Sequence, residues 1–205
     1  MAVYTHGHHD SVLRSHNTRT IDNSAAYLSP HLHAQASLLD IGAGPGTITA
    51  EFAGRVAHVT AVEQNETALA LSRDLAAERG IENMAFTVGD VHALPFSDDS
   101  FDIAHAHQVL QHVGDPVQAL REMRRVTRPG GVVAARDADY SGFIWFPLLP
   151  ALDEWLDVYR AAARANGGEP DAGRRLLAWA RAAGFTEITA SASTWCYATE
   201  AERAW

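Results

Sequence analysis

Two carboxylates and a run of glycines are spaced so that together they could grip one small polar molecule. The run is LLDIGAGPGTIT, residues 38–49, with Gly42, Gly44 and Gly46 within five positions of each other after an apolar stretch. Glycine there permits positive φ and lets another group approach the main chain with no Cβ between. Glu63 follows 21 residues after Gly42, at the end of HVTAVE, where a carboxylate can accept hydrogen bonds from both hydroxyls of a ribose. Asp90 follows MAFTVG. It can accept from the exocyclic amine of a purine, or close an Asx turn on its own backbone.

Spacing narrows the chemistry. The pattern is G-x-G-x-G, with Pro45 inside it and Thr47 in the sixth place, not the G-x-G-x-x-G that holds a pyrophosphate. No lysine follows the loop, so it is not a P-loop. Glycine loop, Glu63 and Asp90 each sit at the end of an expected strand, and such ends converge on one crevice. The expected ligand contains adenosine but no pyrophosphate.

Groups that could react are few. His112, in QVLQHV, is placed to overhang that crevice, and an ordinary histidine titrates where a base is useful at neutral pH. It could equally pack or cap. Asp137 and Asp139, in RDADY, are expected at the same edge, as acceptor-binding groups or as turn formers. Tyr140, Trp145 and Phe146 could line an apolar pocket or belong to the core. The histidines in HGHH and HLH, and the pair His105 and His107, lack the spacing of a transition-metal site. No metal is expected.

The elements that must carry these groups read as alternating strands and helices. SLLDI, HVTAVE, MAFTVGD, FDIAHAH and VVAARDA are strands. GTITAEFAGR, ETALALSRDLAAER and the run from Pro116 through VQALREMRRV are helices. Asn65 and Asp115 are helix caps and Gly80 is a stop. An N-terminal helix in DNSAAYLSPHL is expected to be capped near Asp22 or Asn23 and to end near Pro30. Two amphipathic helices, LDEWLDVYRAAARANG and DAGRRLLAWARAAGF, follow the fifth strand, then a late strand, TEITASASTWCYAT. The fold class is therefore α/β, a Rossmann-like doubly wound, mostly parallel sheet with helices on both faces. The division expected is an N-terminal helical cap, residues 1–36, and a binding domain, residues 37–205.

Bulk properties exclude several classes. A chain of 205 residues, 47% hydrophobic and 20% charged, is a globular domain. The net charge is −9 and every one of its basic side chains other than histidine is arginine. Without a dense basic face, a nucleic-acid partner is not expected. One cysteine, Cys196, allows no intrachain disulfide. With no apolar run long enough to span a bilayer, the expectation is a cytoplasmic protein with no membrane partner.

LLDIGAGPGT, AVEQN, GDVHALPFSDDSFDIAHAHQVLQHVGDP and RPGG, in that order, resemble the motifs of class I S-adenosylmethionine-dependent methyltransferases. Within these they are similar to the UbiE-like, small-molecule branch (methyltransferase type 11). The resemblance is close over residues 37–133. It implies S-adenosyl-L-methionine as cofactor, with Gly42, Ala43 and Gly44 under its methionine part and Glu63 on the ribose. Gln64 would lie along the adenine, and Asp90 and Val91 would recognise the adenine amine and ring. Backbone groups of Ala106, His107 and Gln108 would meet the methionine amine. Tyr4, with the HGHH stretch, would fold over the cofactor. The methyl acceptor would be a small molecule, with His112 and Asp137 as the candidate catalytic residues and a homodimer as an open expectation. That family's sheet usually ends in an antiparallel pair, and only one late strand is visible here, so the final strand is expected to be missing and the domain C-terminally incomplete. A nicotinamide-dependent oxidoreductase and a relative that binds the cofactor without transferring methyl are the alternatives.

Overall fold

Leu38 and Leu39 are neighbours in sequence, and both are fully buried, on opposite faces of one sheet. Such alternation follows from the pleat. Because both faces are covered, both positions must be apolar. The computed structural model describes residues 16 and 18–203. Its sheet has strands β1 (Ser37–Ile41), β2 (His58–Glu63), β3 (Met84–Val88), β4 (Phe101–His107) and β5 (Thr127–Arg136). Their order is β3-β2-β1-β4-β5, and every pairing is parallel.

The helices are α1 (Thr47–Ala53), α2 (Glu66–Glu78), α3 (Pro116–Val126), α4 (Pro150–Ala165), α5 (Leu176–Ala182) and α6 (Glu200–Arg203). On one face Leu39, Ile41, Val62 and Ala104 pack against Leu120, Met123 and Val126 of α3, with Trp179 of α5 beside them. On the other, Leu38, Val59 and Ile103 meet Ile48 and Phe52 of α1 and the N-terminal residues Ile21, Ala25 and Leu28. The Rossmann-like α/β fold is as expected. Among the described residues no helix is long and apolar enough to cross a membrane.

Local chemistry sets the element ends. Asn65 Oδ1 accepts from Ala68 N at 2.9 Å and starts α2. Asp115 Oδ1 accepts from Gln118 N at 2.9 Å, with Pro116 as first helical residue of α3.

Three elements differ from expectation. The fifth strand starts five residues before VVAARDA, at Thr127, where it pairs with Phe101 across a bulge, and it ends at Arg136 rather than Ala138. The N-terminal helix is a π-turn over Ile21–Ala25 followed by a 3-10 helix over Ala26–His31. Its cap is Thr20, not Asp22 or Asn23. Asn23 Oδ1 accepts from Thr20 N while Asn23 N donates to Thr20 Oγ1, so Asn23 completes a capping box from the third helical position. The expected late strand does not form, and residues 186–198 contain no helix or strand. The alternating side chains there include Ala190, Ser191, Ala192 and Ser193, which bury too little apolar surface to hold a strand to an edge. This segment is instead tied by Trp195 Nε1 to the Asn23 carbonyl at 2.7 Å and by Ser193 Oγ to Arg136 Nε at 3.2 Å.

Candidate active site

Strand order reverses between β1 and β4, and in such sheets the crevice at the carboxyl ends of the strands is where ligands bind. A cavity of about 640 Å³ lies there, within the ordinary range for a small-molecule site. The glycine loop forms one wall. Gly42, Gly44 and Gly46 have φ of +69°, +56° and +82°, a region that side-chain-bearing residues rarely adopt. Their tasks differ. A Cβ on Gly42 would run into the Val109 side chain, and one on Gly46 into Ser72 of α2. Gly44 is open, its nearest such neighbour being His16 Nδ1 at 4.0 Å. Two glycines therefore let the protein close on itself, and the third leaves the main chain bare toward the cleft.

Glu63, the last residue of β2, holds this loop. Its Oε1 accepts from Gly44 N at 2.7 Å and its Oε2 from Gln64 N at 3.1 Å. Both oxygens thus sit against main-chain amides beside the cavity that Glu63 lines. Asp90 lines the same cavity and forms the Asx turn that was its alternative reading. Asp90 Oδ1 accepts from His92 N at 2.9 Å and lies 2.7 Å from His92 Nδ1. The His92 N–H holds the Asp90 carboxyl below the usual aspartate range, so it stays ionised. Ala43, Gln64 and Val91 complete this side.

The end of β4 forms the opposite wall. Gln108 has φ +56°, and its N–H donates to the Arg136 carbonyl at 2.7 Å. His107 lines the cavity while 7% exposed, and among the described residues neither ring nitrogen has a hydrogen-bond partner. Burial, then the charges of Arg19, His105 and Arg136, hold its imidazole neutral, far below the usual histidine range. Ala106, expected here, is fully buried in the core and lines no part of the cavity. Alternation along the strand points its side chain to the α3 face.

The two candidate catalytic residues part company. His112 ends a short 3-10 turn, Leu110–His112, and lines the cavity. Asp137 does not line it. The Asp137 carboxyl is buried, with Oδ1 accepting from Gln111 N at 2.9 Å, and burial pushes its pKa up to about 7. It fastens β5 to the turn that carries His112. Asp139 lies outside the cavity, paired with Arg174 at 2.7 Å. Tyr140 is buried in a stack with Phe143 and Tyr159, while Phe146 is exposed. Tyr4 and the HGHH stretch lie outside the described residues.

Some lining residues carried no warning in the sequence. His16 and Arg19 reach the cavity from the N-terminal segment, and Arg19 Nη2 donates to Gln108 Oε1 at 2.7 Å. Under the glycine loop runs a buried polar chain. Thr49 Oγ1 donates to Asp40 Oδ2 at 2.5 Å, Asp40 Oδ1 lies 2.7 Å from His105 Nδ1, and His105 Nε2 lies 3.1 Å from Tyr27 Oη. A polar residue inside each of two apolar strands, Asp40 and His105, was the available signal. Among the described residues no group of three His, Cys, Asp or Glu side chains could hold a metal ion.

The residues present fit an adenosyl group. A bare glycine main chain, a carboxylate at the next strand end and a second, ionised carboxylate at the one after share a single cavity.

Comparison with known proteins agrees with this geometry. A family model described as a methyltransferase domain matches residues 32–178. An uncharacterised methyltransferase of Schizosaccharomyces pombe is 38% identical, over 98% of this chain and 76% of its own. The ubiquinone/menaquinone biosynthesis C-methyltransferase UbiE of Hahella chejuensis is 34% identical, over 70% of this chain and 55% of its own, so this chain spans about half of that relative. A solved S-adenosylmethionine-dependent methyltransferase from Aquifex aeolicus has the same fold, with a TM-score of 0.58 at 17% identity, covering 76% of this chain and 88% of that one. Matched by the family model over most of its length and by a relative almost end to end, the chain belongs to the class I S-adenosylmethionine-dependent methyltransferases, with UbiE enzymes among its relatives.

Proposed function

We propose that this protein binds S-adenosylmethionine across the carboxyl ends of β1, β2 and β3 and directs its methyl group to a small-molecule acceptor in the cytoplasm. The observation that carries the reading is the Glu63 carboxylate, held at the bare Gly44 main chain in a cavity it shares with Asp90. Glu63 receives the ribose hydroxyls, Gln64 lies along the adenine, and Asp90 and Val91 meet its amine and ring. Residues 42–44 and the backbone of His107 and Gln108 face the methionine part.

Bound there, the cofactor's sulfonium supplies an electrophilic methyl carbon. What the chain contributes is position: the acceptor atom must be held about 3 Å from that carbon, in line with its bond to sulfur. The wall beyond the methionine part is formed by His107, Gln108 and His112. His112 takes the proton where an acceptor must lose one. Asp137 acts through the turn it fastens, as a positioning residue. The UbiE relative is a C-methyltransferase of ubiquinone/menaquinone biosynthesis, so carbon acids belong among the acceptors to test. An acidic chain without a basic stripe supports small molecules over nucleic acids.

Calorimetry with S-adenosylmethionine and with NAD tests the donor. The reading expects binding of the first only. A screen of phenols, amines, thiols and carbon acids, read as the mass gain of a methyl group, then identifies the acceptor class. Binding of NAD without S-adenosylmethionine overturns the reading.

A further inference from the structure

The acceptor side of the cleft concentrates positive charge in a chain of net charge −9. His107 and Arg136 are register partners on the adjacent strands β4 and β5. Arg136 Nη1 is buried with no hydrogen-bond partner, and among the described residues no carboxylate stands within ion-pair distance of that side chain. Both nitrogens of His107 are likewise buried and unpartnered. Native interiors rarely leave polar groups in that condition, and a bound ligand is one of the few reasons they do. The acid nearest in sequence, Asp137, turns its Oδ1 to a backbone amide and is driven toward its neutral form by burial.

The Trp195 ring packs over this group. The Trp195 indole lies 4.3 Å from the Arg136 guanidinium carbon, 5.8 Å from that of Arg19 and 6.0 Å from the His107 ring centroid. A flat ring is therefore already accepted against two guanidinium faces. Yet the indole is a donor only. Its N–H goes to Asn23, and it leaves the nitrogens of His107 and Nη1 of Arg136 unmet. Trp195 belongs to the segment without secondary structure, which hydrogen-bonds to the cleft side through Trp195 Nε1 and Ser193 Oγ. Arg19 and His107 also line the cavity that holds the glycine loop, so the covered space and the proposed cofactor site share a wall.

We propose that Arg136, His107 and Arg19 form the acceptor's anion site, which takes a planar aromatic or conjugated acid in the space the Trp195 indole fills. The inference deepens the proposed methyl-transfer function and rests on it for calling the bound acid an acceptor. A carboxylate there supplies acceptors to Arg136 Nη1 and to the N–H of the neutral His107 ring, and the ring it is attached to replaces the indole on the guanidinium faces.

Salicylate and its neutral counterpart salicylamide test the site. Each is titrated calorimetrically into the full chain in the presence of S-adenosylhomocysteine. The expected result is salicylate binding at least tenfold tighter than salicylamide. Arg136→Gln brings the two within threefold of each other while its affinity for S-adenosylhomocysteine stays within twofold of the parent. Trp195→Ala binds salicylate no more weakly than the parent, because the indole competes for the same space. Equal affinities in the parent, no binding of either compound, or a preference that survives Arg136→Gln overturns the proposal. The parent comparison needs no variant to fold. If the parent prefers salicylate yet fails to bind S-adenosylhomocysteine in a separate titration, the anion site stands and the methyl-transfer reading falls.

Discussion

Asp137 shows how one buried carboxyl can serve a site it does not enter. It anchors the turn bearing His112, and burial moves its pKa from 3.8 to about 7. Between those values the folded protein holds a proton that the unfolded chain has released. Its contribution is therefore fully present below pH 4 and lost as pH rises to about 7, roughly 4 kcal/mol over that span. Asp137→Asn keeps an oxygen for the Gln111 amide and abolishes the titration. Urea unfolding is expected to show the variant gaining on the parent by a few kcal/mol from pH 4 to pH 8, and parallel curves would refute the assignment. Such a role was not legible in the sequence. A strand-end aspartate looks the same whether it faces solvent or backbone, and only the fold decides. Glu63 and Asp90 were legible because the strand ends that carry them must open on the same crevice.

At the scale of elements, β1, β2 and β4 were read to the residue, since apolar runs bounded by glycine and polar turns leave little freedom, whereas β5 begins five residues earlier than its apolar run. The N-terminal π-turn and the unpaired segment 186–198 were not legible. The first depends on Asn23 reaching back to Thr20, and the second on whether an alternating but small-residue run gains a partner. Three glycines were recognised as one feature, yet the structure divides their labour. Gly46→Ala would meet Ser72 Cβ at 2.9 Å and Cα at 3.0 Å, at φ +82°. It should cost about 2–4 kcal/mol through strain and overpacking of α1 on α2. Gly80, after α2, has φ +63° but open space around it, so Gly80→Ala should cost only about 1 kcal/mol. Denaturant midpoints of the two variants check the contrast, and equal losses would mean that contact with Ser72 is not what excludes a side chain at Gly46.

Taken as a molecule, the protein holds its sheet between two apolar layers and leaves another apolar surface outside them. Ile144 and Phe146 are 92% and 96% exposed, beyond the stack of Tyr140, Phe143 and Tyr159. Side chains so exposed add little to folding, so Ile144→Ser with Phe146→Ser should leave the unfolding free energy within about 0.5 kcal/mol. A larger drop in urea unfolding would show that the pair is buried in solution. Everything functional proposed for this molecule depends on a nucleoside lying at the carboxyl edge of the sheet, held by its sugar at Glu63. Calorimetric titration of S-adenosylhomocysteine into the parent and into Glu63→Ala is the most direct measurement. Micromolar binding by the parent and at least tenfold weaker binding by the variant, with its circular dichroism unchanged, is the predicted result. Equal affinity in the two proteins would contradict the account.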